Sequence, residues 1–309
     1  MKRTKVLESS RVLSIQSHPV HGYVGQKACT FPLQLLGVEV DPLNSVQLSN
    51  HNGYPNGAKG QILQGEQLLQ IVDGLADNHL LSHYTHVLTG YIGSVSFLRA
   101  VLATVRRLRE TNPGLVYCLD PVLGDGGRFY APPDLVPVYR DEALALATVI
   151  TPNQFEMEQI TGREIANEAD AWLACEFAHD KGVETVVITS CLATKTKVLL
   201  LASTTTATTP IKRQRFVVEI PWVDGDFGGT GDLMAGLLLA WTSLSEDFPK
   251  ALELACATVH AVILRTHEHC LRGENKHSEL RLIQSQQDIK TPPVERFNMR
   301  AVERAYKVG

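Results

Sequence analysis

Short apolar runs rich in β-branched residues alternate with longer amphipathic stretches along the chain. The runs cover residues 11–15, 86–89, 115–119, 147–150 and 185–188. Such runs are typical of buried strands, and the stretches between them are long enough to form crossover helices. The alternation predicts an α/β fold with a mostly parallel central sheet and helices on both of its faces.

Two of the longer stretches predict different kinds of helix. Residues 97–108 place apolar side chains on one face and arginines on the other, which predicts an amphipathic helix. Residues 232–241 are apolar nearly all round, which predicts a helix buried on most sides. The threonine-rich stretch 203–209 is interpreted as a surface loop.

Length and composition fit one domain. The chain has 309 residues, of which 44% are apolar, so it can bury a large core. An α/β fold of this size is commonly a single domain. We predict a flexible tail over residues 1–10 and one domain over residues 11–309.

Charge and cysteine usage exclude several classes of protein. The net charge of -4 provides no basic field for nucleic acid or an anionic membrane. The amino-terminal segment lacks the apolar centre of a signal peptide, and no apolar run approaches the roughly 18 residues of a membrane span. Six cysteines without a Cys-x-x-Cys pair are typical of reduced thiols. We therefore predict a soluble, cytoplasmic protein.

Polar residues directly follow several of the predicted strands. Residues 120–127 read Asp-Pro-Val-Leu-Gly-Asp-Gly-Gly, and residues 151–156 read Thr-Pro-Asn-Gln-Phe-Glu. Open α/β sheets bind ligands at the carboxyl ends of their strands, and carboxylates there can hold the cations that neutralise ATP phosphates. An ordinary turn explains the first segment equally simply, and a helix capping box explains the second.

The segment 228–232, Gly-Gly-Thr-Gly-Asp, opens the helix predicted to be buried. Glycines let backbone N–H groups approach a ligand, and a helix amino terminus favours negative charge. Asp232 is placed to accept a proton from an attacking hydroxyl, but aspartate is also a favoured helix cap. Both interpretations of Asp232 remain open from these residues alone.

Ser17, Tyr91 and the pair Thr189-Ser190 also follow predicted strands. Tyr91 is suited to stacking on an aromatic ring or to packing in the core. Several independent segments thus deliver polar groups to one end of one sheet, which favours a ligand site. The sequence contains neither a Gly-x-x-x-x-Gly-Lys-Ser/Thr phosphate loop nor a His-Arg-Asp protein-kinase loop.

Six segments together resemble the pyridoxal kinase family, the vitamin B6 branch of the ribokinase-like superfamily. They are residues 14–18, 31–37, 44–51, 120–125, 150–156 and 229–232, whose order and spacing match over residues 11–290. The wording Ser-Ile-Gln-Ser-His and Thr-Pro-Asn-Gln-Phe-Glu carries the specificity, since Gly-Thr-Gly-Asp marks only the superfamily. The resemblance implies a three-layer α/β/α fold with a lid loop over the ATP site.

The resemblance to the pyridoxal kinase family also implies an activity. Members phosphorylate the 5'-hydroxymethyl group of pyridoxal, pyridoxine and pyridoxamine with ATP, which yields pyridoxal 5'-phosphate in vitamin B6 salvage. They are usually homodimers. The resemblance implies that Asp232 is the base. It also implies that the backbone around Gly229 and Gly231 stabilises the charge of the transferred phosphoryl group. Ser17 would bind the pyridine ring, Tyr91 would pack on it, and Asn52 and Thr230 would lie beside the substrate.

The resemblance assigns the remaining residues to ATP and to ions. Magnesium, or another divalent cation, would be supported by Asp125 and Glu156, and a monovalent cation, K⁺ or Na⁺, by Asp120, Thr151 and Thr189. Residues predicted to lie at the ATP site are Asp120, Tyr130, Asn153, Glu156, Thr189, Ser190, Thr230 and a strand formed by Val223, Asp224 and Gly225.

Three features depart from the family pattern. Asn52 stands where Thr is common, Gly228 replaces a typically apolar residue facing the ring, and the lid after Asp125 is shorter than in animal members. The first two concern ring recognition and the third concerns lid closure. Two other functions are compatible with the motifs: a hydroxymethylpyrimidine or sugar kinase of the same fold, and a non-catalytic carrier of pyridoxal phosphate.

Overall fold

The computed structural model describes residues 10–206, 212–245, 247–273, 279–294 and 298–302. Residues 1–9 of the predicted tail lie outside the described residues. A ten-stranded sheet runs through the described part of the chain, and a two-stranded hairpin stands apart from it.

The strands are numbered in chain order. They are β1 Arg11–Pro19, β2 Glu39–Leu48, β3 Gly60–Ile62, β4 His86–Thr89, β5 Val116–Leu119, β6 Gly124–Asp125, β7 Arg128–Phe129, β8 Val149–Ile150, β9 Thr185–Cys191, β10 Lys197–Thr206, β11 Lys212–Pro221 and β12 Asn298–Ala301. The large sheet has the order β12-β11-β10-β9-β8-β5-β4-β1-β2-β3, and β6 pairs with β7.

The centre of the sheet is parallel. Every neighbouring pair from β2 through β1, β4, β5 and β8 to β9 is parallel, whereas β3 and the run β10 to β12 are antiparallel to their neighbours. The five strands predicted from the sequence are β1, β4, β5, β8 and β9. The prediction of a mostly parallel sheet is therefore confirmed.

Helices cover both faces of the sheet. They are α1 Gln26–Leu35, α2 Gly65–Asp77, α3 Val95–Thr111, α4 Leu135–Val138, α5 Gln154–Thr161, α6 Glu168–Asp180, α7 Thr230–Leu244, α8 Phe248–Leu271 and α9 Gln286–Lys290. Residues of α2 to α6 share one apolar core, and residues of α1 and α7 to α9 form the core on the opposite face.

Strand β1 illustrates how one sequence serves both layers. Leu13 packs into the core with α2 and α3, whereas its neighbour Val12 packs with Cys29 of α1 and Leu239 of α7. Successive side chains of a strand point to opposite faces, so a strand buried on both sides is apolar without alternation. The predicted three-layer arrangement is confirmed.

Helix α7 is the buried helix predicted from residues 232–241. All side chains from Leu233 to Trp241 are buried because α7 lies against α1 and α8 as well as the sheet. At Gly236 a β-carbon would lie 2.9 Å from Cβ of Cys29, so the glycine lets α1 and α7 pack closely. The amino end of α7 is therefore held rigidly at the edge of the sheet.

The interpretation of residues 203–209 as a loop is wrong where it can be compared with the structure. Residues 203–206 continue β10, where Ser203 pairs with Val186 of β9 and with Arg215 of β11. β-branched threonines fit a pleated surface, which explains the strand. Residues 207–209 lie outside the described residues.

All six cysteines are free thiols, five of them buried and Cys270 half-buried. None of the described helices combines the length and the apolarity that crossing a membrane requires.

Candidate active site

Backbone hydrogen bonds bring the polar strand ends together. The amide of Asp120 donates to the carbonyl of Thr89 at 3.0 Å, and the amide of Thr151 donates to the carbonyl of Leu119 at 3.1 Å. The amide of Thr189 in β9 donates to the carbonyl of Pro152, the residue after Thr151, at 2.9 Å. The ends of β4, β5, β8 and β9 are thus neighbours, as the sequence predicted.

Asp232 lies at the amino end of α7. The N-cap of this helix is Gly229, and Asp232 is the third residue of its first turn. The Asp232 carboxylate accepts a hydrogen bond from the amide of Gly25 at 2.8 Å, across the cleft from the end of β1. The interpretation of Asp232 as the helix cap is therefore wrong, because its carboxylate binds another segment of the chain.

The environment of Asp232 suits a base. Burial raises the pKa of its carboxyl to about 6, although the Gly25 amide partly offsets this effect. The side chain still has partial exposure to the cleft. A carboxylate with a pKa near 6 is ionised at neutral pH and binds a proton more strongly than an ordinary aspartate.

The glycines of the segment 228–232 have separate functions in the structure. Gly229 adopts a φ of +85°, and a β-carbon there would lie 2.2 Å from the carbonyl oxygen of Tyr23, so only glycine fits. At Gly231 a β-carbon would lie 3.9 Å from Oδ2 of Asp120, which places the helix terminus beside that carboxylate. Gly231 is exposed, so backbone N–H groups at this terminus are accessible to an anion.

Asn153 and Glu156 form the capping box of α5. Oδ1 of Asn153 accepts from the Glu156 amide, and Oε2 of Glu156 accepts from the Asn153 amide, both at 2.9 Å. The same side chains also hold the loop after Asp120: Glu156 accepts from the Leu123 amide at 2.9 Å, and Asn153 donates to the Gly124 carbonyl at 2.7 Å. The box thus joins two of the predicted segments.

The site concentrates negative charge. Burial raises the pKa of Asp120 well above its usual range, and the carboxylates of Glu156 and Asp232 raise it further. Burial also raises the pKa of Glu156 to about 8, against the effect of its backbone hydrogen bonds. Thr151 lies close enough to Asp120 to lower its pKa, yet its buried hydroxyl forms no well-formed hydrogen bond with the described residues.

A short hairpin borders the cleft beyond Asp125. Strands β6 and β7 are joined by Gly126 and Gly127, which both have positive φ. The Phe129 ring lies edge-on to Phe155 of α5, with centroids 5.0 Å apart, which anchors the hairpin. Tyr130 follows directly and is 59% exposed. This hairpin occupies the position of the predicted lid.

One prediction about the nucleotide residues is wrong. Val223, Asp224 and Gly225 do not form a strand, because β11 ends at Pro221 and Gly225 has a φ of +136°. They form a loop that leads to Thr230, whose hydroxyl donates to the Phe227 carbonyl at 3.3 Å. Ser190 is half-buried next to Thr189 in β9.

The predicted ring-binding residues are placed on three segments. Ser17 is nearly buried in β1, and a β-carbon at Gly25 would lie 2.4 Å from its Oγ, so it borders the amide that binds Asp232. Tyr91 is half-buried just beyond β4. Asn52 is exposed in the loop between β2 and β3, and its side chain forms no hydrogen bond within the described part of the chain.

Known proteins resemble this chain in sequence and in fold over nearly its whole length. The phosphomethylpyrimidine kinase family model matches residues 79–277. A pyridoxal kinase of Arabidopsis thaliana is 50% identical, with 93% of this chain and 94% of that protein covered. This chain belongs to the pyridoxal kinase family.

Other members of the pyridoxal kinase family give the same result. The human pyridoxal kinase is 42% identical, with 93% of this chain and 97% of that protein covered. The structure of Leishmania donovani pyridoxal kinase in complex with ADP and pyridoxamine superimposes with a TM-score of 0.88 at 38% identity, over 95% of this chain and all of that one. The ribokinase-like fold that the resemblance implied is confirmed.

Three residues of the site in this pyridoxal kinase family member were not predicted from the sequence. Gly25 provides the amide that binds Asp232, and the glycines that follow β1 are the signal that could have indicated it. His51 and Glu279 contact each other at 3.0 Å although 228 positions separate them. No local pattern indicates a pair that only the fold brings together.

Replacing Asp232 by asparagine is expected to stabilise the folded protein at pH 8. Because folding raises this pKa, the contribution of Asp232 to stability is fully present below pH 4 and is lost as the pH rises through about 6. Asparagine removes the ionised group and keeps an acceptor for Gly25, so we expect a gain of about 1–2 kcal/mol at pH 8 and none near pH 4.

Chemical denaturation at both pH values measures this difference. The matched control is Glu142→Gln, because Arg99 lowers the pKa of Glu142. That variant should show no gain at pH 8. An unchanged or reduced stability of Asp232→Asn at pH 8 would contradict the raised pKa.

Proposed function

We propose that this chain transfers the γ-phosphoryl group of ATP to the 5'-hydroxymethyl group of pyridoxal, and of pyridoxine and pyridoxamine. The observation that carries the proposal is the Asp232 carboxylate, fixed by Gly25 beside the amino terminus of α7 with a pKa of about 6. Relatives that are named pyridoxal kinases over nearly the whole chain support the choice of acceptor.

The transfer breaks one O–H bond and one P–O bond. Asp232 accepts the proton of the 5'-hydroxyl as the hydroxyl oxygen attacks the γ-phosphorus, and ADP leaves with the electron pair of the broken P–O bond. Protonated Asp232 then returns its proton to solvent. Phosphoryl transfer depends mainly on positioning and charge stabilisation, so one correctly held carboxylate is sufficient as base.

The amino terminus of α7 stabilises the charge on the phosphoryl group. Gly229 and Gly231 leave the backbone there uncovered, and the helix dipole adds a partial positive charge. We assign Thr230 to the same region, beside substrate and phosphate. The donors are fixed before the reaction because α7 is buried between α1, α8 and the sheet.

We assign the vitamin ring to the pocket between β1 and the loops around it. Ser17 binds the ring through its hydroxyl, Tyr91 packs on its face, and Asn52 lies at its margin. The position of Ser17 beside Gly25 supports this assignment, because Gly25 also contacts the base. An exposed Asn52 supports a peripheral contribution.

We assign ATP to the neighbouring half of the cleft. The residues are Asp120, Tyr130, Asn153, Glu156, Thr189, Ser190, Val223, Asp224, Gly225 and Thr230. We infer that the β6–β7 hairpin and Tyr130 cover the phosphates and exclude water, which would limit hydrolysis of ATP. The hairpin after Asp125 and the exposure of Tyr130 support this inference.

Cations would complete the site. Asp125 and Glu156 would support Mg²⁺ or another divalent cation, and Asp120, Thr151 and Thr189 would hold K⁺ or Na⁺. The residues fit such ions: Asp120 is a buried carboxylate close to two others, and the Thr151 hydroxyl is buried without a partner among the described residues. Bound cations would neutralise the phosphates and the carboxylates together.

We also propose that residues 11–309 act as one domain in the cytoplasm and assemble as a homodimer. The single domain is supported by one sheet that contains both β1 and β12, and the cytoplasmic location is supported by six free cysteines. The homodimer is supported by a groove of about 950 Å³ between β1, β2, β3 and α2. Ile62 and Ile71 in its wall are 55% and 45% exposed, and β3 is the last strand of the sheet in the part of the chain that the structure describes.

A hydroxymethylpyrimidine kinase is the second candidate function. The match of residues 79–277 to a phosphomethylpyrimidine kinase model favours it. The full-length relatives at 42–50% identity are pyridoxal kinases, which makes pyridoxal the first choice. A pure carrier of pyridoxal phosphate has no use for a base at the helix terminus, so Asp232 argues against it.

A substrate panel tests the proposed function. Pyridoxal, pyridoxine, pyridoxamine, hydroxymethylpyrimidine and ribose are each incubated with the enzyme, MgATP and KCl, and ADP release is measured. We expect the three B6 vitamers to have the highest kcat/KM. A higher kcat/KM for hydroxymethylpyrimidine would favour the second candidate, and binding of pyridoxal without ADP release would favour a carrier.

Asp232→Asn is expected to lower kcat for pyridoxal by about 10²–10⁴-fold, with KM for pyridoxal changed only a few-fold. Below pH 6 the wild-type kcat should fall about tenfold per pH unit as Asp232 becomes protonated, whereas the variant should not show this limb. Glu142→Gln is the control and should behave as wild type. Near-normal turnover by Asp232→Asn would remove Asp232 from the mechanism.

The assembly is tested by Ile71→Glu. A charge beside the exposed Ile62 of the groove should convert a dimer into a monomer, and analytical ultracentrifugation measures the mass. Leu173→Glu is the control, since Leu173 is equally exposed at 42% but lies on α6, outside the groove. A wild-type monomer, or a dimer unaffected by Ile71→Glu, would contradict the proposed interface.

A further inference from the structure

One carboxylate joins three segments beside the pocket assigned to the vitamin ring. The side chain of Glu279 is only 11% exposed. Its Oε1 accepts from the Tyr54 hydroxyl at 2.8 Å and lies 3.0 Å from Nε2 of His51, and its Oε2 accepts from the Tyr23 amide at 2.8 Å. The loop after β1, the loop after β2 and the segment 279–294 therefore meet at this group.

These contacts determine which nitrogen of His51 carries a proton. Nδ1 of His51 accepts from the Gly53 amide at 3.1 Å, so Nε2 carries the hydrogen and donates it to Glu279. Burial raises the pKa of Glu279, but the hydrogen bonds from His51, Tyr23 and Tyr54 outweigh burial and lower the pKa to about 2. Glu279 is consequently ionised throughout the neutral range.

The backbone leaves space for this carboxylate. Gly22 has a φ of +93°, and a β-carbon at this position would lie 2.4 Å from both carboxylate oxygens of Glu279. Only glycine combines this conformation with so close an approach. The Glu279 contact therefore depends on two separate features of the chain, a glycine near β1 and an acid close to the carboxyl end.

The segments that Glu279 holds form the wall next to the base. A β-carbon at Gly228 would lie 3.6 Å from Cγ1 of Val24 and 4.0 Å from the His51 ring, so these two side chains face the start of the 228–232 segment. Tyr23, whose amide binds Glu279, precedes Gly25 by two residues, and Gly25 binds Asp232. Movement of Glu279 would thus shift the wall and its spacing from the base.

We propose that Glu279 is a positioning residue for the acceptor substrate: it holds His51 and the 23–25 backbone at the spacing that the pyridine ring requires, without contacting the substrate itself. This inference rests on the proposed function. It assigns a part in ring recognition to a residue outside every motif of the family resemblance. The inference also predicts that a change at Glu279 affects the binding of pyridoxal and not of ATP, because the residues assigned to ATP lie on other segments.

Steady-state kinetics of Glu279→Ala test the inference. Loss of a charged acceptor with three donors is expected to raise KM for pyridoxal about tenfold or more, while KM for ATP stays within about twofold. We expect kcat to fall as well, because the 23–25 backbone that Glu279 holds also carries the Gly25 amide that binds Asp232. Glu279→Gln keeps an oxygen acceptor for Tyr54 and His51, but it places its side-chain NH2 group against the backbone N–H of Tyr23. Its KM for pyridoxal should therefore be intermediate.

Glu168→Ala is the matched control. Glu168 also ties the end of the chain to the body of the protein, through Arg300 of β12 at 2.5 and 2.6 Å, but it lies on α6. This variant should lose thermal stability without any change in KM for pyridoxal. A purely structural Glu279 would give the same result, so equal KM values for pyridoxal in Glu279→Ala and Glu168→Ala would overturn the inference.

A milder variant covers the case in which Glu279→Ala does not fold. Tyr54→Phe removes one donor and keeps the charge, and it should raise KM for pyridoxal about threefold. Combined with Glu279→Gln, its effect should be smaller than the product of the single effects, because both act through one contact. Fully multiplicative effects, or an equal rise in KM for ATP, would overturn the inference. Absence of wild-type turnover would instead overturn the proposed function.

Discussion

The hydrogen bond from Gly25 to Asp232 is the interaction on which the site depends. It joins the loop after β1 to the first turn of α7, and it offsets part of the burial that raises the Asp232 pKa. With no such donor the carboxylate would become still harder to ionise at this position. A stronger donor would make it a poorer base, so one backbone amide is a suitable compromise.

The rest of the cleft follows from the same electrostatic constraint. Asp120, Glu156 and Asp232 are close enough to raise the pKa of Asp120. Such a cluster destabilises the empty protein, and natural proteins retain such features where ligands compensate them. In the proposed site, cations bound together with ATP would bring positive charge close to Asp120 and Glu156. Such compensation would link the electrostatic cost of the free site to its affinity for nucleotide.

The central part of the fold could be predicted because buried parallel strands are continuous apolar runs. Strand β2 was missed because Pro42 and Asn44 interrupt its pattern. The structure tolerates Pro42 because β3 pairs only with Val46 to Leu48, so β2 is an edge strand at Pro42. Likewise, the threonines of β10 are polar enough to suggest a loop, and pairing with both β9 and β11 determines their conformation.

The site was predictable to the extent that topology concentrates it. Residues that directly follow parallel strands, such as Asp120 and Thr151, meet at one edge in any fold of this class, so their positions in sequence imply proximity. Glu279 follows no strand of the sheet, and its partners are a histidine, a tyrosine and a backbone amide in two distant loops. In the proposed site, recognition of the acceptor would depend in part on such contacts, whereas ATP and its cations would bind mainly at the strand ends. Position along the chain therefore indicates the residues at the strand ends more clearly than a contact such as that of Glu279, which only the complete fold brings together.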